Sequence, residues 1–144
     1  MRPGIQINIF VIDGDVRELR IRVSDRASLF TNYVYVGQST LVDAIASLVA
    51  FQKCVHHGSV DIQFGSFGPS YAGGAFCARF HTTAHGRLFV ACEQESQLAP
   101  FGIATVASHA TMYIMSELAL LDRFIDELRA VAAGIRDDAF LEAV

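Results

Sequence analysis

Hydrophobic positions recur along this chain at two spacings, and each change of spacing marks a change of element. Between residues 5 and 36 the spacing is two. Ile5, Ile7, Ile9 and Val11 alternate with Gln6 and Asn8, and Leu19, Ile21 and Val23 alternate with Arg20 and Arg22. Residues 29–36, LFTNYVYV, are aromatic and β-branched. A period of two puts alternate side chains on opposite faces, so three strands are predicted. Asp13-Gly14 closes the first two as a hairpin, because a type I′ turn needs positive φ at both central residues. Ser24-Asp25-Arg26 breaks the second strand and Gly37 ends the third.

From Ser39-Thr40 to about Lys53 the spacing lengthens to three and four. Leu41, Ile45, Leu48 and Gln52 share one helical face, while Val42, Ala46, Val49 and Phe51 leave little polar surface elsewhere. A helix this apolar is expected to be covered on more than one side. Thr40 and Asp43 have capping-box spacing, with Asp in place of the usual Glu. The same periodicity returns over residues 116–134, SELALLDRFIDELRAVAAG. Leu118, Leu121, Ile125, Leu128 and Ala132 form one stripe, with Leu120, Phe124 and Val131 beside it. Ser116 is the expected N-cap, Met115 and Leu120 have hydrophobic-staple spacing, and Gly134 suits a left-handed stop. Arg123 and Glu127 are spaced to pair one turn apart.

Between the helices, residues 60–64 alternate around Asp61 and Gln63 as a short strand, and GSFGPSYAGG (65–74) is a loop. Residues 75–81 and 87–93 form a second hairpin around His85-Gly86, followed by a loop at 93–102 and a strand at 103–114. After Gly134 the tail IRDDAFLEAV is expected to add one helical turn, docked through Phe140 and Leu141. No internal repeat, low-complexity segment or linker stands out. The order β-β-β-α-β-β-β-β-α, with tight hairpins, predicts the α+β class. The expected architecture is an antiparallel sheet of about six or seven strands with two main helices packed on it, in a single domain over residues 1–144.

Composition sharpens this in one respect. At 52% hydrophobic and 18% charged, with mean hydropathy +0.36, the chain of 144 residues is oily for a soluble protein. That surplus implies either thorough burial of both sheet faces or a covered surface, such as a homodimer or partner interface. No apolar run reaches membrane-spanning length, and Gln6 and Asn8 interrupt any signal-peptide core, so a cytoplasmic protein is expected. With net charge −4 and no basic cluster beyond the alternating Arg17, Arg20 and Arg22, neither nucleic acid nor membrane is an expected partner. Three cysteines without a CxxC fit free thiols in a reducing compartment.

Candidate chemistry is sparse. Cys54, His56 and His57 cluster after the first helix, but a metal needs ligands converging from separate elements, which His81, His85 and His109 would have to supply. A capping turn is the expected reading, with no metal and no cofactor. Cys77, Arg79 and His81 share one strand face and would line a pocket on the sheet in a small-molecule-binding or enzymatic domain. Cys92 has the opposite phase, which argues against a bridge to Cys77. No base stands beside either thiol, so no catalytic residue is assigned. The glycine-rich 65–74 loop runs into a strand and holds no Lys or Arg, unlike a phosphate cradle. Its Phe67 and Tyr71, and Glu93 and Glu95, which share one side if the strand continues past 93, are the candidate partner contacts.

Three stretches carry a family resemblance: STLVDAIASLVAF after paired strands, AHGRLFV in the middle hairpin, and SELALLDRFIDEL at the last helix. Over roughly residues 16–131 the chain resembles the small bacterial families around the WapI-type immunity proteins. The resemblance implies a closing helix packed on the sheet through Leu121, Asp122 and Phe124, and a role in binding and neutralising a toxin, with no catalytic residues. The expectation is a non-enzymatic protein-interaction domain that meets its partner through the 65–74 loop and residues 93–97. A structural homodimer is the remaining reading.

Overall fold

The computed structural model describes residues 1–54, 58–68, 73–83 and 85–144. The elements are β1 (Gly4–Asp13), β2 (Val16–Ser24), β3 (Leu29–Gly37), α1 (Gln38–Gln52), β4 (Ser59–Gly65), β5 (Ala75–Thr82), β6 (Arg87–Glu95), β7 (Ala99–Phe101), β8 (Ala104–Val106), β9 (His109–Glu117), α2 (Leu118–Ala132) and β10 (Asp138–Glu142). The α+β class, the antiparallel pairing and the two helices are as the periodicity predicts. The single sheet of six or seven strands is not. Two four-stranded sheets form, ordered β10-β1-β2-β3 and β4-β5-β6-β9, with a separate β7-β8 hairpin.

The physical reason is a crossing after each helix. The strand that follows α1 pairs with β5, and the strand that follows α2 pairs with β1. The tail is therefore a strand and not a helical turn. Ala139 and Leu141 point inward opposite Ile7 and Ile5, and Phe140 lies on the other face, where the Arg2 guanidinium sits 4.6 Å from its ring centroid.

α2 buries Leu121, Ile125 and Leu128 of the predicted stripe together with Phe124 and Val131 beside it, while Leu118, Leu120 and Ala132 are only half-buried. Its start differs. β9 runs straight into the helix, so Ser116 is still strand and its Oγ donates to the Glu142 carbonyl at 2.6 Å. Glu117 occupies the N-cap position, with no side-chain capping bond. α1 likewise follows β3 directly, with Gly37 at the cap and no capping bond from Thr40 or Asp43. Gly134 stops α2 at φ +77. Glu127 pairs with Arg136 at 3.3 Å and accepts the Phe140 N–H at 3.0 Å, so it ties α2 to β10 instead of bridging to Arg123.

The molecule repeats itself. β1-β2-β3-α1-β4 and β5-β6-β9-α2-β10 have the same order, and their registers correspond. Gly4↔Ser24 and Ser24↔Leu29 in one half match Ala75↔Glu95 and Glu95↔His109 in the other. Ile5↔Leu141 matches Phe64↔Phe76. The helices bury corresponding positions eighty residues apart: Leu41 and Leu121, Ile45 and Ile125, Leu48 and Leu128, Phe51 and Val131. They lie antiparallel, with Gln38 Nε2 donating to the Ala132 carbonyl at 2.9 Å and Gln52 bonded to Asp122. The halves differ most at one connection. β2 reaches β3 through residues 25–28, whereas β6 reaches β9 through residues 96–108.

One apolar cluster draws on both sheets and both helices. Within it, Asn32 on β3 donates to the carbonyls of Ala75 and Glu95 at 2.9 and 3.1 Å, and Gln94 on β6 donates to Asn32 Oδ1 at 2.8 Å. These buried amides fix one sheet against the other, since leaving them unpaired would cost their desolvation. Leu121 and Leu41 occupy the same place in the two halves, at 0% and 1% exposure. Leu121→Ala and Leu41→Ala should therefore each lower the unfolding free energy by about 2–5 kcal/mol, as read from urea denaturation midpoints.

Candidate functional site

The outer face of the second sheet carries the sequence-predicted trio. Cys77, Arg79 and His81 lie on β5, opposite Glu93, Ala91 and Phe89 of β6. Each already has an occupation. Arg79 forms a two-pronged pair with Asp61 on β4, Nε and Nη2 donating at 2.9 and 3.1 Å, and these bonds hold the Asp61 carboxyl below its ordinary range. The His81 ring stacks on Phe89 with centroids 5.3 Å apart. Burial, then the charges of Asp61 and Glu93, pushes the Cys77 thiol up and away from the thiolate. An open concavity of about 470 Å³ is lined by Arg79, His81, Phe89, Tyr113 and Met115, and Cys77 is not part of it. The three side chains share a face without converging on a reacting centre.

Cys92 points into the core, on the opposite face to Cys77 as its phase predicts, and burial pushes its thiol up to about 12. All three cysteines are free, with Cys54 exposed. His56 and His57 lie outside the described residues. Among the described residues no group of three or more His, Cys, Asp or Glu side chains is placed to hold a metal ion.

The expected partner contacts fare differently from one another. Glu93 is exposed on the outer face of β6. Glu95 is on the same side but buried at 4% exposure, because β6 continues through it where the sequence reading placed a loop. Its carboxylate accepts the Gly68 N–H at 3.1 Å and lies 3.5 Å from His109 Nδ1. It anchors the start of the glycine-rich loop and is not free to meet a partner. Phe67 in that loop is half-buried, and Tyr71 lies outside the described residues. Gly74 closes the loop at φ +81, where an added Cβ would collide with the Tyr33 carbonyl.

A different element projects from this end. Ser96 and Ser108 are held together by Ser96 N–H to the Ser108 carbonyl at 2.9 Å and Ser108 N–H to Ser96 Oγ at 2.8 Å. Beyond them β7 and β8 pair from Ala99↔Val106 to Phe101↔Ala104. Gly102 at φ +62 precedes Ile103, whose φ is negative, as in a type II′ turn. Phe101 is 73% exposed and Ile103 fully so. No residue from 96 to 108 is charged, and none belongs to the core cluster. Periodicity alone divides this arm in two, as the end of the 93–102 loop and the start of the 103–114 strand. Its available signal was the uncharged run with Phe101-Gly102-Ile103 at the centre.

A second apolar surface lies where the helices meet. A groove of about 570 Å³ is lined by Val42, Ala46 and Val49 of α1 and by Ala132 of α2, with Gln38 and Arg129 also at its wall. Among the described residues no helix is long and apolar enough to cross a membrane.

The thiol environments give a direct check. With iodoacetamide near neutral pH, Cys54 should be alkylated first and Cys77 more slowly, and Cys92 only once the chain unfolds, as followed by mass spectrometry of the native and denatured protein. Compared with known protein families, with curated proteins and with solved structures, the chain matches none.

Proposed function

We propose that this chain is a non-enzymatic protein-interaction domain whose contact element is the 96–108 arm. The observation that carries this reading is the arm's exposure without charge. A two-stranded hairpin is marginally stable alone in water. This one holds Phe101, Ile103 and Val106 out to solvent and gives nothing to the core. Exposed apolar surface gathered on one projecting element fits a contact site, since scattered single residues would need no explanation. The narrower, immunity-like form, capture of a toxin, rests on the family resemblance alone, and so does the bacterial setting. A role for Glu93 fits a rim charge beside the arm, where it would steer the encounter more than strengthen it.

One observation favours a second reading, a small-molecule site on the sheet: the concavity beside Arg79 and His81, with Tyr113 74% exposed at its edge. It ranks below the first because the Asp61 pair and the Phe89 stack already occupy the groups that would have to act.

The arm is tested by affinity capture from the source cells, comparing the wild-type chain with the Phe101→Asp, Ile103→Asp variant. Loss of a specifically captured protein is expected, with far-UV circular dichroism unchanged because neither side chain is packed. Full capture by the variant would take the contact off the arm.

A further inference from the structure

We propose that the outer face of the first sheet is an oxyanion site, where Arg20 and Arg22 together hold the phosphoryl group of a small aryl phosphate monoester. The site is separate from the arm and from the concavity on the second sheet.

Arg20 and Arg22 alternate on β2, an inner strand of its sheet, so their half-buried side chains leave by the same face. On β1 the register sets Gln6 opposite Arg22 and Asn8 opposite Arg20. Gln6 Oε1 accepts from Arg22 Nε at 3.0 Å and from Nη2 at 2.7 Å. Gln6 Nε2 donates to Asp138 Oδ2 at 3.3 Å, which turns the amide oxygen toward the arginine. Asn8 Oδ1 accepts from Arg20 Nη2 at 3.3 Å, and Arg20 Nε is buried with no hydrogen-bond partner among the described residues. Neutral amides therefore orient both guanidiniums, and neither pairs with a carboxylate among the described residues. Two like charges held side by side repel, and a shared dianion turns that repulsion into attraction.

The second sheet shows that the fold does not require this arrangement. Counted back from the matched positions Ser24 and Glu95, β6 carries Ala91 and Glu93 where β2 carries Arg20 and Arg22. The arginine in the Ala91 row, Arg79, is neutralised by Asp61. Asp138 is the counterpart of Asp61, but it meets Arg136 at 3.6 Å and Gln6 instead. The other acids bordering the pair are engaged too. Glu142 meets Arg2 at 3.8 Å. Glu18, two residues before Arg20, hydrogen-bonds Tyr35 and so holds that phenol above its ordinary range. In a chain of net charge −4, the pair is a local excess of positive charge.

The surroundings select the anion. Thr31 and Tyr33 on β3 lie opposite Arg22 and Arg20, with their hydroxyls on the same face. A carboxylate brings a single charge. A phosphate monoester brings close to two near neutral pH, with three strong acceptor oxygens to share between two guanidiniums and the flanking hydroxyls. Phe10 and Tyr33 meet edge to face across β2 with ring centroids 5.2 Å apart, at the Glu18 end of the arginine pair. Phe10 is 57% exposed, so an aryl ester could lay its ring there while its phosphate reached the arginines.

The test is titration of the nitrogen-15-labelled chain with phenyl phosphate, and separately with inorganic phosphate, at constant ionic strength and read at the arginine Nε–Hε resonances. Saturable shifts at Arg20 and Arg22 are expected, with phenyl phosphate the tighter ligand. Arg20→Gln, Arg22→Gln should weaken binding at least about tenfold with far-UV circular dichroism unchanged. Arg87→Gln, Arg123→Gln removes the same charge elsewhere and should bind as wild type does. Shifts that stay linear in ligand, shifts spread equally to Arg87 and Arg123, or saturable binding that persists in Arg20→Gln, Arg22→Gln would each overturn the site. Inorganic phosphate binding as tightly as phenyl phosphate would overturn the aryl assignment and leave a plain phosphate site.

Discussion

Each sheet of this molecule is completed by a strand from the other half, and the rest of the structure depends on that exchange. Ile5 and Ile7 are covered on one side by Leu141 and Ala139, which come from the far end of the chain. Phe76 and Ala78 are flanked in the same way by Phe64 and Ile62, which arrive from α1. Gly4 shows how tight the closure is: an added Cβ there would meet the Leu141 carbonyl, so glycine alone lets the two chain ends pair. Neither half closes its own sheet. The core therefore forms through contacts distant in sequence, the kind whose loop-closure cost slows folding.

The exchange also separates what the fold needs from what it does not. Where the halves agree, in strand register and in the inward helix positions, the residues answer to packing. The buried amides of Asn32 and Gln94 stand apart from that rule, because their counterparts at the corresponding positions are Met112 and Val23. They occur once, where β3 meets the ends of β5 and β6, and they orient one sheet on the other in a way apolar contacts alone would leave loose. The arm and the uncharged face of α1 are departures of another kind. Neither satisfies a buried group, and both enlarge the surface that water covers poorly.

The sequence was readable wherever one element decides its own pattern. The stripe from Leu121 to Val131 is long enough to name its helix and its buried face, and Gly134 marks its end. Alternation from Ile5 to Val23 names the first hairpin. What escaped was set by pairing at a distance. Ala139 and Leu141 are two inward residues in a short tail, and only the free edge of β1 makes them a strand. Ser116 has a capping residue's chemistry, but β9 runs on past it and turns its hydroxyl to Glu142. Glu95 looks like an exposed loop acid until the Gly68 N–H covers it. The repeat stayed hidden because it preserves register and inwardness, not residue identity, although Leu41, Ile45 and Leu48 foreshadow Leu121, Ile125 and Leu128 at constant spacing. Of the candidate site residues, the trio on β5 was placed on the right face, but its neighbours Asp61 and Phe89 decide what it can do.

The glycine-rich stretch between β4 and β5 gains a different meaning from its position. It joins the last strand of one half to the first strand of the other, while Pro3 and Ala143 lie hydrogen-bonded side by side at the opposite join. In sequence it is the seam between the two repeats, each of which gives its final strand to the other's sheet. Gly65 and Gly74, at φ +73 and +81, flank that seam, and an added Cβ would strike the Gly74 carbonyl at the first and the Tyr33 carbonyl at the second, so the two repeats are joined where only glycine fits.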